Sequence, residues 1–182
     1  MVRVREATPG DAAAVCRVHE ASIRGLGPRA YDAEQVDAWA GDRSPGDYDH
    51  LGDGDAYNIV AEVDGAVVGF GTLVPEPPDY LSEPPAALEL PDGSGTVGAV
   101  EAVYVDPDRA GEGLGSALLA DLEREARERG LRALGLHASL NAVGFYERHG
   151  YEREREVVHE FGGDDCDVTG TVVELWTRLD GE

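Results

Sequence analysis

The sequence predicts an α/β fold of the α+β kind, a central mixed sheet of six to seven strands flanked by helices. Three observations carry this expectation. Segments of period two and of period 3.6 interleave along the chain in the order β-α-α-β-β-β-α-β-α-β-β. Two β-branched runs flank Asp64-Gly65, the strongest short hairpin signal. A third run ends in Val103-Tyr104-Val105, breaks at Pro107 and re-enters order through Gly111, Gly113 and Gly115, a pattern of strand, turn, glycine loop and helix. A chain of 182 residues suits a single domain, 1–182, with a substantial core.

Val2 to Glu6 alternates as a first strand. Thr8 as N-cap, Pro9 at the first helical position and Asp11 in the first turn start a helix. Its apolar positions are Ala12, Val15, Cys16, His19, Ile23 and Leu26, and Gly25 and Gly27 end it. A second helix covers Asp32 to Ala40. Tyr57 to Val63 and Ala66 to Val74 are strands two and three. From Pro75 to Gly95 prolines are dense and periodicity is weak, so this is a long loop, read either as a lid on the acceptor side or as a surface insertion. Val97 to Val105 is strand four. The helix after the glycine loop runs to Arg129, with Leu114, Ala117, Leu118, Leu122 and Ala126 buried and the pairs Glu123–Arg127 and Glu125–Arg129 facing outward. Gly130 stops it. Leu131 to His137 is strand five, a short helix follows Asn141, and Tyr151 to Phe161 with Val168 to Leu179 form a closing antiparallel pair.

The chain holds 37 acidic residues against 15 basic ones, all arginine, for a formal charge of -22. With 42% hydrophobic residues this composition fits a folded protein whose surface suits a salt-rich cytoplasm, such as that of a halophilic archaeon. Basic clusters for nucleic acid are missing from the pattern, and neither a signal peptide nor a membrane span is expected. A cytoplasmic location follows, and a homodimer is left open. Cys16 and Cys166 are too few for a disulfide framework, and Cys16 reads as packing. His19, His50, His149 and His159 lack ligand spacing and Asp164-Asp165-Cys166-Asp167 lacks a calcium-loop pattern, so no metal is expected.

Alternate glycines turn successive N–H groups toward one point, and the helix that follows adds about half a positive charge there. This is an anion cradle. A P-loop needs a lysine, which the chain lacks altogether, and the dinucleotide pattern needs G-x-G-x-x-G near the start of a βαβ unit. The spacing here is G-x-G-x-G in mid-chain. It closely resembles the acetyl-CoA loop of the GCN5-related N-acetyltransferase (GNAT) family, [QR]-x-x-G-x-[GA], with Gly113 and Gly115 on the glycine positions. The chain departs from that pattern at Ala110, where Arg or Gln is usual, and Glu112 stands where a basic residue is common. The resemblance therefore implies a pyrophosphate held almost wholly by main-chain donors at Gly111, Glu112, Gly113, Leu114, Gly115 and Ser116, with Arg109, Ala110 and Arg148 also at the cofactor site.

A second segment, Asn141-Ala142-Val143-Gly144-Phe145-Tyr146-Glu147-Arg148-His149-Gly150-Tyr151, resembles the family's N-A-x-x-[FL]-Y-x-x-x-G-[FY] motif at the expected distance. Tyr31 to Trp39 resembles a Y-S-x-E-Q-x-x-A-W segment of one family subset, whose first two helices flank the acceptor site. The resemblance implies an acetyl-CoA-dependent N-acetyltransferase acting on a small-molecule or peptide amine. Asn141 then bonds pantetheine or backbone amides, and Tyr146 protonates the leaving thiolate. Strands four and five splay apart, and main-chain groups of Val103, Tyr104 and Val105 meet the pantetheine arm and polarise the acetyl carbonyl. An ammonium acceptor needs a base. Glu101, an acid in mid-strand with Val97, Ala99 and Val103, and His137, at the end of strand five, compete for that role, with Glu101 favoured. Small residues at Gly98, Ala99 and Ala102 leave room for longer acyl chains. A non-catalytic acyl-CoA sensor or structural subunit is the alternative of a different class.

Overall fold

A computed structural model describes residues 1–90, 96–162 and 167–179. Cys166, Asp164 and Asp165 and the end of the proline-rich loop, 91–95, lie outside the described residues. Seven strands, β1 (Val2–Glu6), β2 (Tyr57–Val63), β3 (Ala66–Val74), β4 (Val97–Val105), β5 (Ala133–Ser139), β6 (Glu152–Glu160) and β7 (Thr169–Arg178), form one sheet in the order β1-β2-β3-β4-β5-β7-β6. Every pairing is antiparallel except β4 with β5. The helices are α1 (Ala12–Leu26), α2 (Ala33–Ala40), α3 (Leu114–Glu128) and α4 (Val143–Arg148). The mixed sheet flanked by helices is the architecture that the sequence predicts.

Alternation along the strands decides which helix covers which face. On one side Ile59, Ala61 and Leu73 pack with Leu114, Leu118, Leu119 and Leu122 of α3; on the other Val60, Val67 and Phe70 pack with Val15, Cys16 and Val18 of α1. A third cluster joins Ile23, Tyr31, Val36 and Phe161, so α2 rests on the end of the sheet that β6 and β7 supply. Between β2 and β3 the expected turn is present: Asp64 and Gly65 both take positive φ (52° and 79°), the geometry of a type I′ hairpin. Cys16 is buried and free, in keeping with a packing role.

Two details differ from the expectation. Gly25 does not end the first helix; it lies inside α1, where a Cβ would stand 2.6 Å from Pro107 Cβ. The glycine is there to let α1 approach the turn that precedes the glycine loop. Strand four does not keep one alternation throughout. Leu73 pairs with Val100 and Thr72 with Ala102, which leaves Glu101 as the extra residue of a β-bulge. Val100 and, beyond the bulge, Val103 and Val105 therefore face α3, and Glu101 does not share a face with Val97, Ala99 and Val103. Among the described residues no helix is long and apolar enough to cross a membrane, and no group of three or more His, Cys, Asp or Glu is placed to hold a metal ion.

Candidate active site

The site begins where the sheet opens. The parallel β4–β5 ladder holds only Val97 to Ala133, Gly98 to Leu134 and Ala99 to Gly135, so beyond Ala99 the two strands diverge. Gly135 fits this junction because a Cβ there would stand 2.7 Å from the Trp176 ring. Two clefts fill the gap and share a boundary made by Trp39, Val103, Tyr104, Ser139, Ala142 and Tyr146.

The first cleft, about 410 Å³, runs over the glycine loop and the N-terminus of α3. Gly111 and Gly113 both take φ of +83°, and a Cβ on either would meet nothing within 4 Å, so the loop presents bare main chain to the cleft. Leu114, Gly115 and Ser116 precede the first helical hydrogen bond, from Ala117 N–H to Gly113 O, and among the described residues their N–H groups have no backbone partner. The expected cradle needs one correction. The Glu112 N–H donates to the Arg109 carbonyl (3.3 Å), and its carboxylate lies 3.6 Å from the Arg109 guanidinium. Glu112 does not line the cleft, whereas Val105, Arg109, Ala110 and Arg148 do.

The cleft is not held by main chain alone. Arg29 joins Arg109 and Arg148 along it, and no aspartate or glutamate lines it among the described residues. The Asn141 Oδ1 is buried at its wall without a hydrogen-bond partner among the described residues. A phosphorylated ligand with an amide-bearing arm supplies what these groups lack: anionic oxygens for free N–H groups and guanidinium ions, and a donor for Asn141. The residues present thus fit coenzyme A.

The second cleft, about 560 Å³, lies on the β6 side and brings together Glu101, His137 and Tyr146. Tyr146 is 7% exposed, and burial pushes its phenol well above the ordinary tyrosine value, so it carries its proton. Among the described residues its hydroxyl has no hydrogen-bond partner, and the ring borders both clefts. Glu101 stands on the bulge at the rim. Partial burial raises its carboxyl above the usual range, opposed by the nearby His50.

His137 belongs to a network that the sequence analysis did not find. Its Nε2 lies 3.1 Å from Glu174 Oε2, and Glu174 is fully buried. Burial works against that carboxylate, but hydrogen bonds from Ser82, Trp176 and His137 hold it ionised, at about 2. The donors are the Ser82 hydroxyl, the Ser82 N–H at 3.3 Å, Trp176 Nε1 at 2.9 Å and Arg155 at 3.0 Å. A carboxylate only accepts, so His137 Nε2 is the donor in this bond. Ser82 pins the proline-rich loop to the sheet, and Tyr80 from that loop lies over the His137 ring at 4.8 Å. Tyr80 therefore walls the second cleft, which makes the loop part of that cleft's lining.

Tyr31 accounts for the position of α2. Its hydroxyl donates to Thr171 O (2.7 Å) and accepts from the Leu140 N–H (2.9 Å), tying α2 to β7 and to the turn before Asn141. Gln35 Nε2 adds a bond to Thr169 O (3.0 Å). Trp39 is thereby held against Phe161, stacked at 5.8 Å, between the two clefts. His149 Nε2 bonds Ser116 Oγ (2.9 Å) and Nδ1 bonds Phe145 O (2.8 Å), joining α4 to the start of α3. Sequence reasoning missed Arg29, Tyr80, His149 and Glu174. Only Glu174 carried a signal, an acid between Val172-Val173 and Leu175-Trp176.

The model of the Acetyltransferase (GNAT) family matches residues 24–151. The chain is 38% identical over 99 residues to a mycothiol acetyltransferase of Parafrankia sp. (strain EAN1pec), covering 52% of this chain and 31% of that protein. It thus spans less than a third of that relative's length. An aminoglycoside N(6′)-acetyltransferase type 1 of Stenotrophomonas maltophilia is 30% identical over 160 residues, covering 86% of this chain and 90% of the relative. Among solved structures, a GCN5-related N-acetyltransferase of Rhodopseudomonas palustris superposes with a TM-score of 0.78 at 25% identity, over 97% of this chain and 95% of that one.

Proposed function

Since the chain belongs to the GNAT acetyltransferase family, we propose that it is an N-acetyltransferase that moves an acetyl group from acetyl-CoA directly to an amine. The observation that carries this is the position of Tyr146, a protonated phenol free of internal partners among the described residues, where the arginine-lined cleft meets the one that holds Glu101 and His137. Bound in the first cleft, acetyl-CoA would supply the acetyl group and a thiolate leaving group. Free N–H groups at Gly111, Gly113, Leu114, Gly115 and Ser116, with Arg29, Arg109 and Arg148, hold the phosphates, and Asn141 takes an amide donor. Val103 to Val105 pair with β3 on one side and have no β5 partner on the other, so main-chain groups on that open side polarise the acetyl carbonyl. Tyr146 gives up its proton toward sulfur.

On the acceptor side Glu101 takes the ammonium proton, its raised pKa suiting a base, while His137, fixed by Glu174, is the second candidate. The relatives' names support an amine acceptor, since one acts on an aminoglycoside. The surplus of carboxylates over arginines supports a surface suited to a salt-rich cytoplasm, as in a halophilic archaeon.

The experiment is release of free thiol from acetyl-CoA over a panel of amines, with wild type and Tyr146→Phe side by side. We expect Tyr146→Phe to lower turnover by about 10²- to 10⁴-fold while acetyl-CoA affinity stays within about twofold, because general-acid help acts in the transition state. Unaltered turnover removes Tyr146 from the mechanism. Tight acetyl-CoA binding with no thiol release from any amine favours a sensor or structural subunit.

A further inference from the structure

The two clefts divide the charges of the chain unequally. The cofactor cleft has three arginines and no acid among the described residues. The acceptor cleft is the reverse: among the described residues Glu101 and Glu160, both exposed to solvent, line it, and no arginine does. Its other walls are largely rings. Trp39 and Phe161 stack with 30° between their planes, Tyr104 borders Trp39 at 6.4 Å, and Tyr80 is fixed against His137 through the Ser82–Glu174 bond. Valines 100, 157, 158 and 172 complete the apolar lining. His137 and His159 also line the cleft, and partial burial and the nearby His137 lower the His159 pKa.

Each acceptor chemistry meets these walls differently. A carboxylate or phosphate brought into the cleft loses water and faces like charge with no arginine to receive it. A body covered in hydroxyls leaves donors and acceptors unpaired against rings and valines. An ammonium on a flat apolar body has carboxylates for its charge and ring faces for its bulk, and a desolvated cation beside aromatic faces gains further.

We infer that the acceptor is a primary amine on a flat apolar body bearing no anionic group, its ammonium received by Glu101 and Glu160 and its body lying among Trp39, Phe161 and Tyr80. This rests on the acetyl-transfer reading above and adds the acceptor's class.

Tryptamine and tryptophan differ only in the carboxylate, and kanamycin is a hydroxylated polycation. Calorimetry of each against the protein saturated with coenzyme A reads acceptor binding apart from turnover. We expect tryptamine to bind at least about tenfold more tightly than tryptophan and more tightly than kanamycin. Glu160→Gln should weaken tryptamine by about tenfold and narrow its lead over tryptophan. Tryptophan or kanamycin binding as tightly as tryptamine, or none of the three binding to a protein that binds coenzyme A, overturns the inference and leaves the acetyl-transfer reading intact. Undiminished tryptamine binding by Glu160→Gln overturns the placement of the ammonium. A folded protein that fails to bind coenzyme A removes the acetyl-transfer reading, and the inference falls with it.

Discussion

Two glutamates in apolar strands meet opposite fates. Glu174, between valines and Leu175-Trp176, is fully buried and ionised, because five hydrogen bonds from Ser82, Trp176, His137 and Arg155 replace its water. Glu101, on its bulge, faces the acceptor cleft with no such donors, and burial alone moves its pKa upward. A base works when deprotonated, so kcat/KM should climb with pH through the raised pKa of Glu101 and level off above it. In Glu101→Gln that acid limb should disappear, and the plateau should fall by about 10²-fold. Retention of the limb in Glu101→Gln with its loss in His137→Asn would transfer the role to His137. The same residues mark the limit of legibility at this scale. An acid flanked by apolar residues is visible in sequence, which is how Glu101 was found, and Glu174 met the same criterion. Which of the two is buried depends on a bulge and on Ser82 arriving from a loop far away in sequence, and neither is written in local periodicity.

Elements were more legible than residues. β2, β3 and β4 occupy the expected spans because each is bounded by a turn signal and patterned by its own side chains. β5 starts at Ala133, two residues later than expected, since Leu131 packs under the sheet before the ladder begins. Gly25 was misread as a stop because a glycine needed for close approach looks in sequence like one needed for a turn. That approach carries a prediction. An added methyl at Gly25 would stand 2.6 Å from Pro107 Cβ and 2.7 Å from Pro107 Cγ, in the turn that leads into the cofactor loop. Gly25→Ala should therefore cost about 1 to 3 kcal/mol of stability despite alanine's better helix propensity, and it should weaken coenzyme A binding by shifting that turn. Gly10→Ala, where the new methyl would meet only Thr8 Oγ1 at 3.6 Å, should do neither. Thermal unfolding midpoints and calorimetry on the two variants check this, and equal midpoints would show that the α1–Pro107 contact yields without cost.

At the scale of the whole molecule, charge is sorted rather than spread. A chain with 37 acidic residues and 15 arginines keeps acids out of the lining of one cleft, among the described residues, and gathers Arg29, Arg109 and Arg148 there. Sequence suggested a cradle mainly of main-chain donors, with Arg109 and Arg148 beside it, because Ala110 lacks the usual basic side chain; Arg29 comes from the turn after α1, and only the fold brings it to the loop. Coenzyme A, itself polyanionic, therefore meets two opposed fields of different reach. The net charge of -22 repels it at a distance, and screening removes that repulsion as the Debye length shrinks from about 10 Å at 0.1 M to about 3 Å at 1 M salt. The arginines and free N–H groups act at contact, within the shorter of those lengths. Raising salt across that range should thus speed association while dissociation changes little, so affinity rises. Arg148→Ala should instead speed dissociation at every salt concentration, because it removes a contact rather than a long-range field. Stopped-flow binding on protein shown to be folded by circular dichroism at each salt concentration separates the two rates. An association rate that falls steadily as salt rises would mean that the arginine cluster steers the ligand from afar, and that the acidic surface does not govern its approach.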